Sequence, residues 1–437
     1  MTGTGEAGGM ALGRAAFWVP FAGYVLASLI VLSSRSEIGA GVLVVAAAWA
    51  ALKGNADALG GVLCVTALGA GARIGALPCP LVVVAVAGFG SVCYVLRTDG
   101  WTRVAWLRCF GCALVLSVLA WRWIGARPST REGRFVVYEQ LVIFLCIVTL
   151  SLLGKDRTHK APRLSVASIA AIGSVASVSA LYLVRHNIVQ FEANRQIVSV
   201  FGGSNYVAAL AAAAAIALFH VVHAHPTGVV RWIIIGLLFA TPIVMASRTS
   251  TAVMLLLAAV LLIQNRRRRR GFSSAISAGL LVVLASVLGG ALLRRLGTTA
   301  IASSASDRFF LWRMAWTTAL HAPFLGIGPG RLADLYLESG QIAYYAHNLF
   351  LSLFAQYGFL VGIVAVLVLL PPRSLTFATP LSAAAVTLGL ISLLEPSVDT
   401  LRLGLLCVVC TSLSLRERSL STGSANCIRG ESREART

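Results

Sequence analysis

Long apolar runs separated by short polar or charged segments make up most of this chain. A helix that crosses a bilayer needs about 20 mostly apolar residues, with tolerance to about 17. About fourteen runs are candidates, the shortest of them just under that length, near 15 to 33, 38 to 53, 58 to 76, 78 to 96, 104 to 124, 135 to 154, 164 to 184, 205 to 224, 229 to 246, 250 to 265, 273 to 293, 347 to 370, 376 to 394 and 400 to 415. The runs at 58 to 76 and 376 to 394 can each merge with a neighbour. The pattern therefore predicts an all-α polytopic membrane protein with about 12 to 14 transmembrane helices. Residues 1 to 415 form a single helical domain in this reading, with an inserted external loop at about 294 to 346, and residues 416 to 437 form a basic, disordered cytoplasmic tail. The first run follows Arg14 without a small-residue cleavage pattern, so it reads as a retained helix rather than a signal peptide.

Composition agrees with the pattern and narrows the partners. Hydrophobic residues make up 58% of the 437 positions, charged residues 12%, and the mean hydropathy is +0.84. A soluble domain carries about 25% charged residues. The net charge of +20 comes mostly from arginine. Such a balance suits nucleic acid, anionic lipid or an anionic substrate, and the lack of a soluble basic domain sets nucleic acid aside. Most of the nine cysteines (Cys64, Cys93, Cys109, Cys112, Cys146, Cys407 and Cys410 among them) fall inside apolar runs, where a small buried hydrophobe is the expected role and no disulfide framework is read.

Orientation follows from the five consecutive arginines Arg266 to Arg270, which are costly to move across the membrane and are assigned to the cytoplasm. Counting outward places Lys155 to Arg163, Gly228 to Arg231, Pro371 to Arg373 and the tail inside. Ser34 to Glu37, Arg122 to Arg134, Arg185 to Phe201, Ser247 to Ser250, Arg294 to Ala346 and Glu395 to Thr400 then fall outside. Many arginines lie on that external side: Arg122, Arg127, Arg131, Arg134, Arg185, Arg195, Arg248, Arg294, Arg295, Arg308, Arg313 and Arg331. Biogenesis selects against them there, so they are read as an anion site, because a guanidinium pairs with phosphate bidentately and stays charged at any relevant pH.

Four external patterns could carry chemistry. Arg195 stands ten residues before Asn205, which is expected to cap the following helix after the Gly202-Gly203 turn. Arg248 sits at the tip of a tight hairpin, Ser247-Arg248-Thr249-Ser250, at a depth where a charge is expensive unless it faces a cavity or an anion. Arg308, Trp312 and Trp316 share i, i+4, i+8 spacing, which predicts a surface helix with its aromatics toward the membrane and its arginines toward the headgroups. His347, in Tyr344-Tyr345-Ala346-His347-Asn348, stands where the chain re-enters the bilayer. An imidazole there can take a proton from a hydroxyl, whereas arginine and asparagine cannot. His220, His223 and His225 lie on the cytoplasmic side and match no metal-site spacing.

Four segments, FGGSNYVAAL (201 to 210), ASRTSTA (246 to 252), RFFLWRMAW with PFLGIGPG (308 to 330) and AHNLFLSLFAQYGFLVG (346 to 362), together resemble the O-antigen ligase and polymerase family. The chain departs from that family in carrying Gly-Gly-Ser before Asn205 in place of Asn-Pro-Asn, and in its short external loop. The resemblance implies the fold of a polytopic lipid-linked glycosyltransferase in the bacterial plasma membrane. It implies transfer of a glycan from a polyprenyl-pyrophosphate carrier, without metal or other cofactor, to a lipid, protein or glycan acceptor. Arg195 and Arg248 become the expected pyrophosphate clamp and His347 the expected base. Arg308, Arg313, Arg331, Asn205 and Asn348 complete the candidate set as substrate-binding residues, with membrane lipids as further partners. A transporter or flippase for the same anionic lipid-linked glycan is the alternative, and it would need arginines along a path rather than gathered at one face.

Overall fold

The structure, a computed structural model, describes residues 5–32, 36–68, 73–74, 77–98, 102–125, 127–153, 163–186, 204–224, 229–245, 247–266, 298–341, 343, 345–395 and 400–416. Arg195, the apolar run at 273 to 293, most of the arginine block and the basic tail lie outside these residues. The described chain is almost wholly helical: α1 (Gly5–Leu32), α2 (Ser36–Leu52), α3 (Ala56–Leu68), α4 (Cys79–Arg97), α5 (Arg103–Gly125), α6 (Arg131–Leu152), α7 (Arg163–His186), α8 (Ser204–Ala224), α9 (Val229–Val244), α10 (Arg248–Arg266), α11 (Thr298–His321), α12 (Arg331–Glu338), α13 (Leu349–Leu369), α14 (Pro380–Ile391) and α15 (residues 401–416). Among the described residues, five helices are long and apolar enough to cross a membrane, the spans beginning at Cys79, Arg103, Arg131, Leu164 and Leu349, and seven more are apolar but shorter.

The apolar runs and the helices coincide closely, with one clear difference. The run at 58 to 76 stops as helix at Leu68, and a two-residue antiparallel ladder follows, pairing Arg73 with Pro78 and Ile74 with Leu77. Gly69 and Gly71 lower helical propensity there, and hydropathy alone does not register that. The helix starts are written locally. Thr130 caps α6 by accepting from Gly133 N at 2.9 Å, Thr379 and Ser382 form a capping box on α14, and Pro380 occupies its first turn.

Helix α8 is the centre of the bundle and packs on α7, α9, α10 and α14. Its residues Val207 to Phe219 are all buried, and eight of these thirteen are alanine. Small side chains let neighbouring backbones approach closely where lipid offers no hydrophobic drive for association. Arg108, buried on α5, donates to Ser412 Oγ at 2.8 Å and to Val368 O at 3.0 Å, so it ties α5 to α15 and to the end of α13. Cys109 and Cys112 on α5, and Cys407 and Cys410 on α15, stand at Cys-X-X-Cys spacing, and all four are free thiols.

Helix α13 breaks at Gly358, whose backbone adopts φ 75°, ψ 173°. A break inside an apolar bundle strands backbone groups that no water can satisfy. The Pro323 to Gly328 turn supplies their partners. Ile327 N donates to Ala355 O and Gly328 N to Gln356 O, each at 3.0 Å, and Phe359 N donates to Pro323 O at 2.7 Å. Gly326 (φ 63°) and Gly358 make this docking possible, because a Cβ on either would collide with the facing backbone, at Gln356 and Phe324 respectively. Beside the break, Gln140 of α6 donates to Gln356 Oε1 at 2.7 Å and accepts from Tyr357 OH at 2.6 Å.

Gly326→Ala should therefore destabilise the folded chain by about 2 kcal/mol or more, since a positive-φ alanine is strained and the facing atoms are backbone. Gly23→Ala on α1, where nothing lies within 4 Å of the new Cβ, is the matched control and should be neutral or mildly stabilising. Thermal unfolding in detergent, followed by size-exclusion, measures both.

Candidate functional site

The turn that ends α14 presents Glu395, a buried carboxylate with 4% of its surface exposed. Four elements converge on it. Arg308 of α11 donates through Nη2 to Oε1 at 2.6 Å, and through Nη1 to the neighbouring Leu394 carbonyl at 3.2 Å. Asn205, in the first turn of α8, donates to Oε2 at 2.9 Å. Thr249, in the first turn of α10, donates to Oε1 at 3.3 Å. His347 Nδ1 lies 3.9 Å from Oε2, within ion-pair range but beyond a hydrogen bond.

The sequence around His347 explains its pose. Asn348 caps α13 by accepting from Leu351 N at 3.1 Å, while its own amide donates to Leu393 O at 2.9 Å. Leu349 N donates to Ser392 O at 2.9 Å, and Ala346 N donates to Ser352 Oγ at 3.0 Å. These four bonds fix the backbone on both sides of His347, which takes a left-handed φ of 54°, unusual for a residue with a Cβ. Its Nδ1 is buried and has no hydrogen-bond partner. With Nδ1 turned toward Glu395, Nε2 is the ring nitrogen left for a substrate.

Electrostatics at this end of the bundle favour an anion. The first turns of α8, α10 and α13 meet here, and each helix N-terminus carries a partial positive charge. Burial works to raise the Glu395 pKa, but the adjacent His347 side chain and the charge and hydrogen bond of Arg308 override it and hold the carboxyl below its usual range.

A second carboxylate cluster fastens the surrounding loop. Asp334 of α12 is buried and accepts from Ser129 N (2.8 Å), Ser129 Oγ (3.1 Å), Thr130 N (3.2 Å) and Thr130 Oγ1. Arg331 pairs with it at 3.3 Å. The α5–α6 turn is thereby bound to the segment that leads into His347. Arg122, at the end of α5, adds a bond to the Gly326 carbonyl. A third carboxylate, Glu139 of α6, accepts from Tyr345 OH and from Leu401 N, the latter at 3.0 Å. Burial raises the Asp334 pKa, but the donors from Thr130 and Ser129 outweigh it and the net displacement is downward.

The candidate residues thus separate. His347, Arg308 and Asn205 come together on Glu395. Asn205 lies inside α8 and spends its amide on that carboxylate, so it is not the helix cap expected from its position. Arg248 opens α10 beside Thr249, half-buried and with no partner for its guanidinium among the described residues. Asn348 shapes the backbone around His347. Arg331 belongs to the Asp334 cluster, while Arg313 is exposed, about 140° round α11 from Arg308. Helix α11 also differs from the expected surface helix. Arg308 turns inward to Glu395, and Trp316, half exposed, meets the Phe359 ring at 5.8 Å, so α11 packs along α13. His220 bonds the Phe377 carbonyl at 3.0 Å, a structural role. Glu395, on which these side chains converge, is absent from the candidate set that the sequence suggests. Its signal was a lone acid at the edge of an apolar run.

Residues 233–366, about a third of the chain, match the family model described as O-antigen ligase, in agreement with the resemblance drawn from the three motif segments that lie within that stretch. The matched stretch contains Arg248, Arg308, Arg313, Arg331, His347 and Asn348, and it ends before Glu395. A comparison with curated proteins gives no match.

Two outcomes follow from the carboxylates. Both have folded pKa values below their unfolded values of about 3.9 and 4.3, so their contribution to stability is complete above those values and is lost as pH falls through the lower folded ones. The thermal midpoint of the solubilised chain should therefore drop below about pH 4. Asp334→Asn should cost about 2 kcal/mol at pH 7, because hydrogen bonds to a charged acceptor are lost. It should also increase protease cleavage between 326 and 341, with the far end of α8 unaffected.

Proposed function

We propose that this chain, similar to the O-antigen ligase family over residues 233–366, is a membrane glycosyltransferase. It moves a glycan from an undecaprenyl-pyrophosphate carrier to an acceptor hydroxyl on the outer face of the bacterial plasma membrane, as a ligase or a polysaccharide polymerase. The observation that carries the reading is His347, fixed in a left-handed backbone pose beside Glu395 and Arg308 at the meeting of three helix N-termini.

In this reading the acceptor hydroxyl gives its proton to His347 Nε2 while its oxygen attacks the anomeric carbon. The bond from that carbon to the pyrophosphate oxygen breaks, and the electron pair leaves with the carrier pyrophosphate. Attack opposite the leaving group inverts the anomeric configuration. Negative charge grows on the pyrophosphate in the transition state, and guanidinium groups fixed in a water-poor site stabilise it, by about 3 kcal/mol for a single well-placed donor. Arg248, half-buried and without a protein partner among the described residues, and Arg195 are assigned to that clamp. Arg308, Asn205 and Asn348 are assigned to substrate binding beside it, and Arg313 and Arg331 to its rim. Proton transfer to His347 contributes about 100-fold to 10,000-fold. The protein residues carry every step, and no metal is invoked.

Sidedness rests on the arginine block Arg266 to Arg270, which is kept in the cytoplasm. Ser129 before α6, Thr249 and Leu401 at the starts of α10 and α15, Asp334 and Tyr345 share one end of the bundle through the hydrogen bonds of Asp334, Glu395 and Glu139. Gathering at one end supports transfer over translocation, which needs charges on both sides of the midplane.

The test uses purified full-length chain in nanodiscs with a radiolabelled undecaprenyl-pyrophosphate glycan. His347→Ala should bind donor and transfer nothing, and retained transfer removes the base assignment. Arg248→Lys should lower transfer about 100-fold, because a point charge cannot replace the planar fork. A lysine variant with ordinary activity would reduce Arg248 to a membrane anchor.

A further inference from the structure

Glu395 is engaged by groups that would themselves hold a phosphate. Its two oxygens take a guanidinium, a side-chain amide and a hydroxyl from three different helices, two of them at helix N-termini. A pyrophosphate oxygen asks for the same set: charge-assisted donors at the positive ends of helices. The carboxylate therefore occupies the anion position of the resting chain. Its contacts are of unequal strength, with Arg308 at 2.6 Å and Thr249 at 3.3 Å.

Two further facts separate Glu395 from a purely structural ion pair. Arg308 keeps 29% of its side chain exposed while Glu395 keeps 5%, so the guanidinium can reach an incoming ligand and the carboxylate cannot. His347 Nδ1 is buried and unpartnered only 3.9 Å from Oε2. That is about 1 Å longer than an ordinary nitrogen–oxygen hydrogen bond. A small movement of the carboxylate would give the imidazole an acceptor that it lacks at rest. The charged groups that face Glu395 are Arg308 from α11 and, when protonated, His347 before α13. The contacts from α8 and α10 are the neutral Asn205 and Thr249.

We propose that Glu395 is a positioning residue that holds Arg308 in the resting chain, yields it to the pyrophosphate of an arriving donor, and then closes on His347 Nδ1 to orient the base. This rests on the transferase reading above and adds an ordering to it. The base is completed only after the anion has bound, so an empty site does not present an oriented imidazole to water. The exchange conserves charge, since the guanidinium moves from one anion to another and the freed carboxylate gains the Nδ1–H of the histidine.

The experiment measures binding of undecaprenyl pyrophosphate, and of inorganic pyrophosphate, to the full chain in phosphatidylcholine nanodiscs, which keep other anionic headgroups out. Glu395→Gln removes the internal competitor for Arg308 with little change of shape. If the released state is about one tenth populated at rest, the variant should bind both probes about tenfold tighter. It should also transfer glycan more slowly, with kcat and KM falling together. Glu395→Asp, which keeps the charge, should bind with wild-type affinity and regain part of the transfer rate. Equal or weaker binding by the glutamine variant, with wild-type binding intact, overturns the exchange and leaves the transferase reading standing. Absence of undecaprenyl-pyrophosphate binding by both folded proteins overturns the two together. A structure of the unaltered chain with undecaprenyl pyrophosphate gives an independent reading. Arg308 should sit on a phosphate oxygen, with Oε2 within about 3 Å of Nδ1. Arg308 still on Glu395 in the occupied site overturns the proposal.

Discussion

Placing a carboxylate in an apolar bundle costs several kcal/mol unless charged and polar donors surround it. Glu395 meets that condition only because α8, α10, α11 and the entry to α13 each bring a group to the same point. The requirement runs in both directions. Without the carboxylate, a part-buried guanidinium and several positive helix ends would face one another uncompensated. These helices thus meet at one end of the bundle around the charge balance of a single side chain, and the chemistry assigned to the site draws on the same balance.

A parallel constraint acts on the backbone. Helix α13 carries the base at its start and a break at Gly358, and the break is tolerated because the turn from Pro323 to Gly328 takes up the freed carbonyls and the freed amide. That turn continues into α12, which Asp334 binds to the α5–α6 turn. Main-chain and side-chain bonds therefore form one connected frame around His347, in which the two glycines do steric work and the acid does electrostatic work. The left-handed pose of His347 is held by this frame and not by its own preference.

The succession of helices was legible in the sequence because hydropathy over about 20 residues is a local property, read without knowing the partners of any residue. It failed at Arg73 and Ile74, which pair as a strand inside a segment that is still apolar on average, because glycines lower helix propensity without lowering hydropathy. His347 was legible as a candidate because a histidine at a membrane entry is rare. Glu395 was not, since a single acid carries no pattern of its own and its partners lie far away in the chain. Asn205 was misread for the related reason that asparagine near a helix start has a well-known local use, and only the fold reveals the stronger, distant claim on its amide. The inward turn of Arg308 was equally hidden, because i, i+4 spacing defines a helix face but not which neighbour the face meets.

The long reach of these bonds also governs how the protein is made. Asn205, Thr249 and Arg308 precede Glu395 by 190, 146 and 87 residues. Chains emerge from the ribosome at about 5–20 residues per second, amino end first. Those donors consequently wait in the membrane for seconds to tens of seconds before their counter-charge arrives. Over that interval α8, α10 and α11 can be inserted but not locked together, and the insertion machinery must shelter an arginine whose partner has not yet been synthesised. A nascent chain arrested before residue 395 would hold nearly every described helix yet still lack the acid on which three of them converge.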